Sequence, residues 1–268
     1  MTSPSVVVTD LDGTVVRSDG TISDRSRDAV RDASDAGALV LVATGRPPRW
    51  LAGIDTALGH NGLAICANGA IVYDLQRSEV VDAHPVEVDV IRHVMAELRA
   101  AVPEVGFAIE RVDGLFAHEP SYHPRWEPET DTFIGDLDDV LDAPVAKVLG
   151  RREGLDSDEL LALARVLVSG TEVSVTHSSI DGLLEISARG VTKASTLEAL
   201  LAERDLAAPD VVAFGDMPND IEMLTWVGHG VAVANAHPDV LAVADEVTSS
   251  NDDDGVAEVL ERLFPSRT

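Results

Sequence analysis

A chain of 268 residues with 45% hydrophobic and 25% charged side chains is long enough for one large or two medium cores and has the make-up of a folded enzyme. Its 47 acidic side chains against 20 basic ones give a formal charge of −27. That balance excludes a surface built for nucleic acid or anionic lipid, since Lys and Arg carry affinity for both, and it obliges any site for a phosphorylated ligand to supply its own positive charge.

The first segment, Ser5 to Thr9, is short and β-branched and stops abruptly at acidic residues and glycine, which predicts a buried strand feeding a loop. Ser23 is placed to cap a helix running to about Gly37. A second apolar strand, Ala38 to Ala43, precedes a proline-started helix from Pro47, and a third strand runs through Cys66. Cys66 is the single cysteine, so neither an internal disulfide nor a cysteine metal cluster forms, and its apolar flanks predict burial. Asn68-Gly69 predicts a turn before Ile71 to Tyr73, and Glu79 to Val81 is strand-like. No signal-like start and no apolar run near the ~20 residues that span a bilayer is found, so a cytoplasmic protein is expected.

The pattern changes over residues 83–188. Ile91, Val94, Met95, Leu98 and Val102 share one helical face. Val105 to Glu110 and Leu115 to His118 flank Val112-Asp113-Gly114, a hairpin signal. A loop rich in proline, aromatic and charged residues runs from Glu119 to Thr132, and its His123, Arg125 and Trp126 carry aromatic and basic groups suited to a sugar, or simply form an exposed connector. Strand, helix and two strands follow at 145–149, 157–168, 172–177 and 183–187, predicting an α+β module. Beyond it the alternation resumes. Leu197, Leu200 and Leu201 mark a helix, Val211 to Phe214 and Gly230 to Ala234 are strands, and Val256, Val259, Leu260, Leu263 and Phe264 form an amphipathic closing helix. The expected fold is α/β: a Rossmann-like, doubly wound parallel sheet from residues 1–82 and 189–268, with residues 83–188 as an inserted α+β domain.

Four short motifs stand at the ends of these strands or the starts of helices. Asp10-Leu11-Asp12-Gly13-Thr14 follows the first strand, where ligands of open parallel sheets bind. Gly13 permits the turn that brings two carboxylates to one place, a pair suited to a hard divalent cation, with one of them free to act as nucleophile. Thr44-Gly45-Arg46 follows the second strand and offers a hydroxyl and backbone amides to an anion. Lys193 precedes a helix. Gly215-Asp216-Met217-Pro218-Asn219-Asp220 gathers two carboxylates and an amide on a short turn.

In this order and spacing, with the long insert between the second and third motifs and Asp254-Gly255-Val256 near the end, the set resembles the haloacid-dehalogenase superfamily, in its Cof-type phosphatase branch. The resemblance covers nearly the whole chain and implies a Mg²⁺-dependent phosphatase acting on a small phosphorylated metabolite, a sugar phosphate foremost, through an aspartyl-phosphate intermediate. It implies Asp10 as nucleophile and metal ligand, Asp12 as general acid/base whose backbone carbonyl reaches the metal, and Asp216 as metal ligand with Asp220 in support. It further implies Thr44, Gly45 and Lys193 on the phosphoryl group, Asn219 on the substrate, and the insert as the cap that sets substrate specificity.

A phosphomutase of the same superfamily, which returns the phosphoryl group to a sugar, and a non-enzymatic phosphoacceptor regulator also fit clustered aspartates, though the latter has no need of a ~100-residue insert. A dinucleotide site is excluded by motif: Gly228-His229-Gly230 lacks the third glycine. No partner surface for nucleic acid or membrane is expected, and the sequence is silent on oligomeric state.

Overall fold

The computed structural model describes residues 3–58, 62–125 and 131–265. The chain runs through β1 (Val6–Thr9), α1 (Asp24–Asp35), β2 (Leu39–Ala43), α2 (Ile54–Leu58), β3 (Leu63–Cys66), β4 (Ile71–Asp74) and β5 (Glu79–Ala83). It continues with α3 (Val88–Ala101), β6 (Gly106–Arg111), β7 (Phe116–His118), β8 (Phe133–Ile134), β9 (Val145–Arg151), α4 (Ser157–Leu167), β10 (Val173–Thr176) and β11 (Leu183–Ala188). The last elements are α5 (Lys193–Ala202), β12 (Val211–Gly215), α6 (Ile221–Trp226), β13 (His229–Val233), α7 (Pro238–Val243), β14 (Glu246–Thr248) and α8 (Gly255–Leu263). The contacts divide the chain into two compact units, Met1–Val81 with Thr192–Thr268, and Asp82–Val191. Among the described residues no helix is long and apolar enough to cross a membrane.

The first unit is a Rossmann-like, doubly wound α/β core. Its sheet has the order β14-β13-β12-β1-β2-β3-β4-β5; the strands from β14 to β3 are parallel, and β4 turns back antiparallel to β3. The Val6-Val7-Val8 run explains why β1 is central: it is fully buried between β12 and β2, and only a strand covered on both faces uses unbroken β-branched residues. The helix that follows is bounded by local chemistry. Ser23 Oγ accepts from the Ser26 N–H at 2.9 Å at the start. At the end Gly37, at φ +98, lets its own N–H reach Ser34 O and the Ala38 N–H reach Ala33 O, satisfying carbonyls the helix leaves open. Val30 and Ala33 are buried, and α1 packs against α8, whose Val256, Val259 and Leu260 are buried as their spacing predicts.

The helix expected from Pro47 is shorter and broken. Pro48 keeps Pro47 out of the helical region (ψ 159), so a 3₁₀ turn begins only at Pro48 and ends at Leu51, and Gly53 at φ +84 separates it from α2. The short elements α6, α7 and β14 are additions to what the sequence predicts. Their three to six residues carry too little periodicity to read; Val247, the apolar residue of β14, is half exposed.

The second unit is a six-stranded sheet, β10-β11-β9-β6-β7-β8, antiparallel except for the β7–β8 pair. The hairpin at Val112-Asp113-Gly114 is present, with the Arg111 N–H on Leu115 O. Both helices, α3 and α4, bury Ile91, Val94, Leu98, Leu160 and Ala164 against one face, where Phe107, Ile109, Val148 and Leu184 meet them. Ala108, Phe116, Tyr122, Leu149 and Leu183 cluster separately. In register beside them are the buried Glu110, His118, Lys147 and Glu185, with Lys147 Nζ 2.7 Å from Glu185 Oε1. Of the loop read either as a sugar contact or as an exposed connector, His123 lies 3.3 Å from Glu153 and Arg125 pairs with Asp181, both basic side chains well exposed; Trp126 lies outside the described residues. Tyr122, just before them, is buried, which its place in a polar loop does not announce.

Candidate active site

The site is built at the carboxyl ends of the core strands, where each strand hands its next residue to a loop. After β1, Leu11 plugs the core and its carbonyl accepts from the Thr14, Val15 and Val16 amides, wrapping the loop tightly. Gly13, at φ +77, is where that loop meets β12. A Cβ there would lie 2.3 Å from Asp216 Oδ2, while Thr14 Oγ1 donates to Asp216 Oδ1 at 3.1 Å and Asn235 Nδ2 donates to Gly13 O at 2.8 Å. Gly13→Ala is therefore expected to cost about 1–3 kcal/mol, from a strained φ and a displaced Asp216. A thermal melt that matches wild type would show that the loop has room to spare.

After β12 the chain makes a 3₁₀ turn over Pro218–Asp220, and Asp220 folds back so that its Oδ2 accepts from the Asp216 and Met217 amides, each at 3.1 Å. Gly215 makes this possible, because a Cβ at that position would sit 2.6 Å from the Asp220 side chain. Thr192 caps α5 by accepting from the Ser195 N–H at 3.2 Å, which fixes Lys193 as the first helical residue. From there Lys193 Nζ reaches Asp10 Oδ1 at 2.7 Å and Asp220 Oδ1 at 2.6 Å, with its side chain fully buried.

Three carboxylates, those of Asp10, Asp216 and Asp220, are thus buried together, each with an oxygen within 4.8 Å of the others. Burial pushes Asp10 above the usual carboxylate range, with Lys193 opposing and Asp220 adding to the rise. Asp216 is also raised, by burial and then by the charges of Asp10 and Asp220. Burial acts to lower Lys193, but the Asp10 and Asp220 carboxylates outweigh it and hold the ammonium raised and charged. One ammonium among three carboxylates leaves a deficit of positive charge, and an all-oxygen donor set of this kind fits a hard divalent cation.

The remaining predicted residues take different places. The Asp12 carboxylate is mostly exposed and turned to Arg46, whose Nε and Nη2 lie 2.7 and 2.5 Å from its two oxygens, so it is not one of the three. Thr44 is buried at the end of β2; its hydroxyl accepts from the Arg46 N–H at 3.1 Å and its own N–H donates to Ile65 O, with Gly45 between them partly exposed. Asn219 Nδ2 donates to Asn68 Oδ1 at 3.0 Å. Arg46, Asn68 and Asn235 went unassigned in the sequence. The signal for the last two was available, since each stands just past the carboxyl end of a parallel core strand, as Asp10 and Asp216 do.

A family model described as haloacid dehalogenase-like hydrolase matches residues 7–260. The chloroplastic endoribonuclease YBEY of Arabidopsis thaliana is 30% identical over 273 residues; the match takes in 96% of this chain and 46% of that protein, so the chain spans about half the length of that relative. The 5-amino-6-(5-phospho-D-ribitylamino)uracil phosphatase YitU of Bacillus subtilis is 27% identical, with 98% of each chain covered. Among solved structures, a haloacid dehalogenase-like hydrolase from B. subtilis is similar in fold, with a TM-score of 0.81 and 23% identity over 97% of this chain and 99% of that one.

Proposed function

This chain belongs to the haloacid dehalogenase-like hydrolases, and we propose that it is a Mg²⁺-dependent phosphatase, a phosphoric monoester hydrolase that passes the phosphoryl group of a small metabolite through Asp10 to water. The observation that carries the reading is the buried cluster of Asp10, Asp216 and Asp220 around Lys193, one carboxylate of which stands at the end of the central strand.

A carboxylate approaching a phosphate monoester meets like charge, at a cost of roughly 4 kcal/mol per unit pair at ~4 Å and an effective dielectric of about 20. The chain's own answer is Lys193, a fixed ammonium 2.7 Å from the attacking carboxylate and able to hold a phosphoryl oxygen, with Thr44 and Gly45 as further donors. Asp10, Asp216 and the backbone carbonyl of Asp12, with Asp220 in support, would hold Mg²⁺, which supplies charge neutralisation for the transferring oxygens. Asp10 forms the new P–O bond as the ester P–O bond breaks, and Asp12 gives its proton to the leaving alkoxide. Asp12 then takes a proton from water, which attacks phosphorus and releases inorganic phosphate and free Asp10. Arg46 orients the Asp12 carboxylate from both of its oxygens.

Residues 83–188 set which ester is accepted, and Asn219 contacts it. A sugar or polyol phosphate is the best-supported class, in keeping with the phosphoribityl group in the name of the Bacillus relative. A formal charge of −27 argues against nucleic acid and membrane as partners. Steady-state assay across a panel of phosphorylated metabolites tests the reading. Hydrolysis of sugar or polyol phosphates should vanish in chelator, return with Mg²⁺ and return poorly with Ca²⁺, which prefers six to eight loosely held oxygens. Full activity in excess chelator would remove the metal.

A further inference from the structure

The loop after β13, Ala234 to His237, reaches both strand ends that carry the candidate metal ligands. In the core sheet β13 neighbours β12 and not β1, so this loop must cross the carboxyl end of β12 to meet the segment after β1. It does so with one side chain: Asn235 Nδ2 donates to Gly13 O at 2.8 Å. Two residues on, the His237 N–H donates to Asp216 O, also at 2.8 Å. The Asn235 amide is engaged from both sides, since its Oδ1 accepts from the Asn251 N–H at 2.9 Å. Gly13 offers a carbonyl and Asn251 an N–H, so these partners fix which amide atom faces which. Asn251, itself buried, closes the clamp by donating its Nδ2 to Val16 O at 3.0 Å. The two asparagines thus hold the Gly13 and Val16 carbonyls of the loop whose amides converge on Leu11 O.

What the clamp controls is the peptide between Gly13 and Thr14. The Thr14 N–H donates to Leu11 O at 3.2 Å, the long end of the hydrogen-bond range, so the 2.8 Å contact from Asn235 is the shorter hold on this peptide. Gly13 sits at φ +77, and a glycine turns its peptide with little steric resistance once a polar end is released. The Asp216 carboxylate rests here with both oxygens. Thr14 Oγ1 donates to its Oδ1 at 3.1 Å, and its Oδ2 fills the space where a Cβ on Gly13 would lie 2.3 Å away. A rotated peptide moves the Thr14 hydroxyl and the wall beside Oδ2 together. The partners of the Asn235 side chain, Gly13 and Asn251, are distinct from Thr44, Gly45 and Lys193, the groups assigned to the phosphoryl oxygens.

We propose that Asn235 is a positioning residue, which locks the Gly13–Thr14 peptide and so aims the Asp216 carboxylate for Mg²⁺, without touching metal or ester. The proposal rests on the phosphatase reading, in which Asp10 and Asp216 hold the metal. Calorimetric titration with Mg²⁺, in the absence of any ester, compares the full chain with its Asn235→Ala and Asn235→Asp variants. Alanine removes both contacts. Aspartate keeps an acceptor for the Asn251 N–H and removes only the donor to Gly13 O. Both variants should bind Mg²⁺ about 10- to 100-fold more weakly, the usual loss when a residue that orients a metal ligand is removed. In Asn235→Asp the added carboxylate by charge alone favours the cation, so weaker binding there comes from the lost donor. On the best substrate of the phosphate-ester panel, at saturating Mg²⁺, Asn235→Ala should lower kcat about tenfold while KM stays within about threefold. Melting temperatures in chelator should stay within about 5 °C of wild type, because the Asn235 side chain is exposed. Wild-type Mg²⁺ affinity in both variants would overturn the proposal, whatever their melting temperatures. So would wild-type affinity in Asn235→Asp beside a loss in Asn235→Ala, which assigns the role to the Asn251 contact. If Asn235→Ala fails to fold, the affinity of Asn235→Asp decides alone. A wild type that binds Mg²⁺ yet hydrolyses no ester removes the phosphatase reading while the titrations still decide this one, and a wild type that binds no Mg²⁺ takes both down.

Discussion

Asp10→Asn is expected to lower kcat by about four orders of magnitude or more, while leaving the metal-free protein at least as stable as wild type. The first effect follows from chemistry: an amide oxygen is a poor nucleophile for phosphorus and a weak ligand for a hard cation. The second follows from the electrostatics of the carboxylate cluster. Burial raises the Asp10 carboxyl above its ordinary value of 3.8, so the folded protein keeps a proton there that the unfolded chain has already released. Stability at this position therefore falls as pH rises from the unfolded value through the folded one, and the ionised carboxylate works against the fold at neutral pH. Asparagine has nearly the same shape and no charge to desolvate, and Lys193 keeps Asp220 at 2.6 Å. The melting temperature of the variant in chelator should match or exceed that of wild type, with the advantage widening between about pH 4 and 7. Turnover within tenfold of wild type would remove Asp10 as the nucleophile. A variant both inactive and markedly less stable would show that the Lys193 contact outweighs the crowding of carboxylates.

Much of this site was legible in the sequence because its determinants are local. An apolar β-branched run followed at once by Asp, Asp and Gly marks both the strand and the loop, and the Ser23 cap and Gly37 stop bound the next helix without reference to the rest of the chain. What escaped depends on contacts between distant residues. Asp220 was read from its motif as a carboxylate beside Asp216, but not how it reaches the cluster: Gly215 lets its side chain fold back onto the strand end. Arg46 engages Asp12 across 34 positions and Asn68 meets Asn219 across 151. Asn68-Gly69 has the composition of an ordinary turn, and only three-dimensional contacts reveal that the turn positions an amide. The row of Glu110, Lys147 and Glu185 on alternating strand positions was hidden for a similar reason. Charged residues in an amphipathic strand read as solvent-facing, whereas these three are buried and Lys147 is paired with Glu185.

Lys193→Met tests the same cluster from the opposite side. Methionine approximates the length of the lysine stem but supplies no charge, so the three buried carboxylates lose the ammonium buried among them. Removing one partner of a buried ion pair costs about 3–5 kcal/mol, more than the pair contributes over a well-packed apolar replacement, because the remaining charges are stranded away from water. The protein has one escape without metal, which is to protonate the carboxylates. Asp10 and Asp216 are already raised by burial, and loss of the ammonium that opposes the rise drives both further in the same direction. The stability deficit should therefore be small near pH 5 and grow steadily toward pH 8, since above the unfolded carboxylate range the variant must either retain protons that the unfolded chain has shed or bear the bare repulsion. Added Mg²⁺ should stabilise the variant by a larger increment than wild type at pH 8, because it replaces the charge that the buried carboxylates have lost. Catalysis should not recover with it: kcat/KM is expected to stay about 10²- to 10³-fold down, the usual loss when one fixed donor to the transferring oxygens is removed. Melts in chelator and in Mg²⁺ at both pH values, read beside the kinetics, separate the two roles. A deficit independent of pH would mean that Lys193 stabilises by packing alone, and restored kcat/KM in Mg²⁺ would assign the phosphoryl contact to another residue.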